Sequence, residues 1–144
     1  MTQLSQHFSL KELTHSYEGV RHGIDNTPDK KILANLEILA DKLEELRTLF
    51  GTKIVVLSGY RCEKLNTLIG GSKKSAHMQG LAADIICPGW HTPEQMQELL
   101  RKSGIKVDQC IEEGTWLHVS FASPLRNEYL KATFSNGKVS YKKV

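Results

Sequence analysis

Cysteine is scarce in this chain of 144 residues: Cys62, Cys87 and Cys110 form an odd set with no CxxC spacing. That argues against a disulfide framework or a thiolate metal site, and leaves three small apolar side chains in a reducing setting. No stretch approaches the ~18 continuous apolar residues that a membrane span requires, so none is expected. The opening residues 1–7 lack a basic segment followed by an apolar run, so no Sec signal peptide is expected. A site of action outside the cytoplasm would then need another route of delivery. There is no internal repeat, low-complexity segment or linker. Aromatic residues are only 7%, and the basic residues are scattered apart from Lys73-Lys74 and Lys142-Lys143, with no aromatics between them. A nucleic-acid partner is therefore not expected, and the net charge of +3 gives no more than a generic preference for anionic surfaces.

What is present fits one domain over residues 1–144, with 40% apolar and 24% charged residues, long enough to bury a core without covalent staples. Ser9 and Glu12 have capping-box spacing and open a short helix to about Tyr17. A polar loop, 19–26, follows. Thr27 is then the expected N-cap of a long helix with Pro28 at its first position. Ile32, Leu36, Leu39, Leu43, Leu46 and Phe50 recur at steps of three and four, one apolar stripe ended by Gly51. Residues 54–58 and 81–86 read as strands, with a short helix over 61–68 between them. Thr92, Pro93 and Gln95 start another helix, ending near Gly104. Residues 107–111 and 116–121 are strands close enough to pair as a hairpin. Asn136-Gly137 joins strands over 131–134 and 138–141. The expected fold class is α+β: a small, mainly antiparallel sheet packed against N-terminal helices.

The chemistry concentrates in two stretches. In Ser75-Ala76-His77-Met78-Gln79-Gly80-Leu81-Ala82-Ala83-Asp84, a His and an Asp are separated by a Gly that permits a bend, with a strand after it. Alternation puts Ala82 and Asp84 on one face of that strand. A carboxylate there needs a partner, which the core does not offer. In Trp116-Leu117-His118-Val119-Ser120-Phe121, alternation puts Trp116, His118 and Ser120 opposite the apolar row. Two imidazoles and one carboxylate form a standard ligand set for catalytic zinc, leaving the fourth position for water. Residue types alone also allow each His a purely structural role.

The motifs Ser-x-His-x-x-Gly-x-Ala-x-Asp at residues 75–84 and Trp-x-His-x-Ser at 116–120 resemble the zinc D-Ala-D-Ala carboxypeptidases and related endolysins. Ser58-Gly59-Tyr60-Arg61-Cys62, Asn66, Gly70-Gly71-Ser72, residues 23–28 and Asp108-Gln109 also resemble the small carboxypeptidase branch. The likeness spans residues 8–130. It implies a hedgehog/D-Ala-D-Ala peptidase-like fold with one Zn²⁺ per chain on His77, Asp84 and His118. It further implies Arg61 beside the scissile carbonyl, and Ser75 and Trp116 at the substrate. The general base falls on Glu113, with Glu112 as the alternative; on a strand the two face opposite ways. The implied substrate is a peptidoglycan stem peptide or cross-link. The bond cut stays open, as between carboxypeptidase and endopeptidase. The setting implied is phage or prophage lysis or wall penetration, as a monomer or a phage-assembly component acting on the cell wall.

Two rival functions remain at this stage. A Ser75/His77/Asp84 hydrolase is weak, because a nucleophile two residues from its base in one extended segment cannot easily face it, and no Gly-x-Ser-x-Gly elbow is present. A zinc-containing wall-binding module without turnover is the second; the hedgehog signalling domain illustrates that possibility. Its discriminating feature is the acid/base carboxylate.

Overall fold

The computed structural model describes residues 2–144. Ser9 closes the capping box of helix α1 (Leu10–Thr14): its hydroxyl accepts the Glu12 amide while the Glu12 carboxylate accepts the Ser9 amide. The helix does not continue to Tyr17. Ser16 caps a new one, α2 (Tyr17–Arg21), by accepting the Gly19 amide on its hydroxyl, so Gly19 lies inside a helix rather than opening a loop. The long helix α3 (Lys30–Phe50) is capped by Asp29, whose Oδ1 accepts the Ile32 amide at 2.8 Å. Thr27-Pro28 instead forms the extended run-in, with the Thr27 amide donating to Asp25. A carboxylate favours the positive end of the helix dipole more than a hydroxyl does, which accounts for the cap lying two residues later than the sequence suggested.

Strand β1 (Val55–Ser58) and helix α4 (Glu63–Leu68) follow, then a 3₁₀ turn (Ala76–Gln79), strand β2 (Ala82–Ile86) and helix α5 (Pro93–Ser103). Strands β3 (Gln109–Glu112), β4 (Leu117–Ser120), β5 (Glu128–Ser135) and β6 (Lys138–Lys143) complete a six-stranded sheet in the order β1-β2-β4-β3-β5-β6. Every pairing is antiparallel except β3 with β5. The sheet is thus mixed, because the chain leaving β4 returns along the free side of β3 in the same direction as β3. Asn136 and Gly137, at φ 51° and 74°, make the tight β5–β6 turn that their sequence calls for.

The sheet has one closed and one open face. Ala83, Ile85, Cys110, Leu117 and Val119 are completely buried, and they join Leu36, Leu39, Leu43 and Leu46 of α3 and Met96 and Leu100 of α5 in one core. Asp84, His118, Ile111 and Leu130 lie in one cross-strand row on the other face. Helix stripe and strand alternation therefore dictate which side of the sheet is left for chemistry.

The N-terminal segment is tied to α3 through Glu44. The Ser5 hydroxyl and the His7 amide donate to its Oε2 at 2.6 and 2.7 Å, and His7 Nδ1 lies 2.7 Å from Oε1. Partial burial raises the Glu44 pKa, but these donors outweigh it and hold the carboxyl below its ordinary value. A depressed folded pKa adds stability above the unfolded value of about 4.3, and that stability is lost as pH falls through the folded value. Glu44→Gln should therefore cost about 1–3 kcal/mol at pH 7 in urea unfolding, and the gap from wild type should narrow below about pH 4.

Candidate metal centre

His77 sits on the 3₁₀ turn because Ser75 caps it, accepting the His77 amide at 3.1 Å. Its ring reaches back toward the end of β1, where Nδ1 lies 2.7 Å from the Gly59 carbonyl oxygen. A carbonyl can only accept, so Nδ1 carries the proton and Nε2 keeps its lone pair. Burial at 3% exposure disfavours a second proton and lowers the His77 pKa. That lone pair faces Asp84 Oδ1 at 3.3 Å. Burial would raise Asp84, but hydrogen bonding from the facing His118 imidazole leads the interactions that outweigh it and hold this carboxyl below the usual carboxylate range.

His118, opposite Asp84 in the β2–β4 register, brings Nδ1 to 3.1 Å from the same Oδ1. The three donor atoms all lie within 4.8 Å of one another. Two ligands at ~2.0–2.1 Å from a tetrahedral zinc are about 3.3 Å apart, which matches both His–Asp separations. An unprotonated imidazole nitrogen against a carboxylate oxygen, both buried, is a pair of acceptors that a cation between them would satisfy. Residues and spacing fit zinc.

Arg61 and Glu113 border this group. Arg61 Nη2 donates to Asp84 Oδ2 at 3.3 Å, and its Nε donates to the Ser58 hydroxyl at 3.1 Å. Glu113 Oε1 stands 3.9 Å from His118 Nδ1. Burial raises the Glu113 pKa, and the neighbouring Asp84 charge raises it further. Glu112 points the other way: its Cα partner on β4 is the fully buried Leu117, and it is itself buried. A cavity of about 640 Å³ opens over the group, bordered by Ser75, Trp116, Lys74, Arg126 and Tyr141, a size usual for ligand sites. Ser75 and Trp116 thus both reach the cavity wall, Ser75 while also capping the turn.

Other residues build the site in roles the sequence did not assign, Asn26 and Gly59 within segments noted only for their likeness and Tyr141 outside them. Asn26 donates to the Thr14 and Tyr60 carbonyls at 2.8 and 2.9 Å and accepts the Cys62 amide at 2.7 Å, so one side chain clamps the turn that bears Arg61. Tyr141 comes from the last strand, over a hundred residues of fold away from Asn26 in chain order. Gly59 is required by close approach: a Cβ there would collide with the Leu13 carbonyl oxygen, which already accepts the Tyr60 amide at 2.7 Å. Gly59→Ala should displace the carbonyl that orients His77, weakening zinc affinity about 10–100-fold. Competition against a chromogenic chelator checks this; unchanged affinity would deny the carbonyl its orienting role.

A family model described as Peptidase M15 matches residues 6–120, which include the metal triad, Arg61 and Glu113. A search of curated proteins finds no match. A match over most of the chain, joined to a His-Asp-His cluster of zinc spacing, leads to one conclusion: the chain belongs to the M15 family of zinc peptidases.

Proposed function

We propose that the protein hydrolyses a peptide bond in bacterial peptidoglycan, in a stem peptide or a cross-link, with Glu113 as general base and Arg61 as oxyanion donor. The observation that carries this reading is the placement of Glu113 beside the triad, with Oε1 3.9 Å from His118 Nδ1. Zinc, when bound, would supply Lewis-acid polarisation of the scissile carbonyl and acidify a water. Glu113 takes a proton from the attacking water and delivers it to the leaving amine. Its raised affinity for a proton suits both halves of that transfer. Arg61, fixed by Ser58 and Asp84, offers planar N–H donors to charge developing on the carbonyl oxygen. Ser75 and Trp116 hold the substrate at the cavity wall.

The setting we propose is lysis or wall penetration by a phage or prophage, a reading supported by the endolysin likeness of the motif at residues 75–84. Among the described residues no helix is long and apolar enough to cross a membrane, in keeping with a protein that meets the wall from the aqueous side. Glu113→Gln should retain zinc and lose about 10²–10⁴ in kcat, the usual worth of a general base. Glu112→Gln should remain active wherever it folds, because its carboxylate faces away from the cavity. Turbidity of permeabilised Gram-negative cells should fall with wild type and not with Glu113→Gln. An active Glu113→Gln enzyme would remove Glu113 from the role.

A further inference from the structure

A second cavity, of about 900 Å³, runs from the metal centre along β1. All four residues of that strand border it. Successive strand side chains point to opposite faces, so a groove that meets four in a row follows the strand's edge. β1 is the terminal strand of the sheet, and among the described residues no strand pairs with its outer side. The strand carries no guarding residue of its own, and helix α1, which packs beside its C-terminal end, forms the far wall of the groove. The opposite terminal strand, β6, holds Lys138, Lys142 and Lys143, whereas Val55-Val56-Leu57-Ser58 contains no charge and no proline. Proteins commonly protect such edges with lysine, proline or a covering element.

The groove is more apolar than the first cavity, although Lys11, Glu12 and Glu18 of α1 and α2 also border it. Leu57, Tyr17 and Ile69 expose 49%, 78% and 41% of their surface beside it. The register shifts between Val56 and Ser58, leaving Leu57 without a partner on β2, a local bulge of the kind that re-aims a side chain beside a site. Arg61, Asp84 and Trp116 border both cavities, so the groove leads directly into the metal centre.

We propose that the β1 groove receives one limb of the substrate peptide, in extended form, with its backbone hydrogen-bonded to the outer edge of β1 and its small aliphatic side chains against Leu57, Tyr17 and Ile69. This inference rests on the peptidase reading and names the subsite that reading leaves open. Main-chain pairing with an exposed edge supplies affinity, and side-chain pockets supply selection. Both strands rise about 3.3 Å per residue, so four residues of β1 accommodate a substrate limb of about the same length. The polar cavity, with Lys74 and Arg126 at its border, takes the other limb. Substrates would thus be selected by an apolar segment on one side of the cut bond and a polar or anionic segment on the other.

The test uses a synthetic stem pentapeptide ending in D-Ala-D-Ala and the zinc-loaded Glu113→Gln protein, which is expected to bind without cleaving. Amide hydrogen exchange across residues 55–58 should slow at least about tenfold when the peptide is added. In parallel, Leu57→Asp and Ile69→Asp, both at half-exposed positions outside the catalytic machinery, should keep full zinc content. Their KM for the pentapeptide should rise about tenfold, the order expected for a lost apolar contact, with kcat within about twofold of wild type. Cleavage by wild type combined with unchanged exchange at residues 55–58 and unchanged KM in both variants would overturn the groove alone. Zinc-loaded wild type that cleaves neither the pentapeptide nor purified cross-linked peptidoglycan would overturn the peptidase reading, and the groove with it.

Discussion

One carboxylate oxygen, Asp84 Oδ1, faces two imidazole nitrogens at 3.1 and 3.3 Å in a pocket with little access to water. The rest of the structure can be understood as what it takes to hold that arrangement. A buried ionised carboxylate is costly unless opposing charge and donors surround it. Arg61 supplies part of that on Oδ2, and the geometry on Oδ1 leaves a gap of zinc dimensions. The Gly59 carbonyl fixes the tautomer of His77, Ser75 fixes the turn beneath it, and Asn26 fixes the segment bearing Arg61. Each support is one hydrogen bond, or three in the case of Asn26, of modest net worth apiece. Together they decide where lone pairs point, which matters more to metal affinity than their contribution to folding.

The folding energy comes from the other side of the sheet. Leu36, Leu39, Leu43 and Leu46 of α3 and Ala83, Ile85, Cys110, Leu117 and Val119 of the sheet are fully shielded from water on that face. This division lets the open face carry an ionised Asp, an Arg and a raised Glu without drawing on the core for compensation. It also explains why neighbouring residues play unrelated parts. Asp84 faces the metal centre while Ala83 and Ile85 are core, and Glu113 borders the cavity while Glu112 lies against the row of Leu117.

Much of this was legible in the sequence because the relevant signals are local. The α3 stripe, the capping boxes at Ser9 and Thr92 and the Asn136-Gly137 turn all appear where short-range rules put them. The candidate triad was legible through the likeness of the motifs at residues 75–84 and 116–120, alternation adding only that Asp84 and His118 each stand opposite the apolar row of their own strand. What escaped depends on distant parts of the chain meeting. The parallel β3–β5 pairing, the clamp by Asn26 and the arrival of Tyr141 at the cavity leave no periodic trace. The split between α1 and α2 escaped for a different reason: two serine caps stand close together, at Ser9 and Ser16, and spacing alone does not say whether the second interrupts the first helix. Which of Glu112 and Glu113 borders the cavity needed the β3–β4 register, because alternation says only that they differ.

The central claim is that His77, Asp84 and His118 hold a zinc ion used to cut wall peptides. It is tested most directly by measuring metal content and peptidoglycan hydrolysis on one preparation, before and after chelation and with zinc restored, using mass spectrometry of the released fragments. The account predicts one zinc per chain, cleavage lost on chelation, and cleavage regained with zinc. A protein that binds no zinc, or one whose cleavage survives its complete removal, would contradict it.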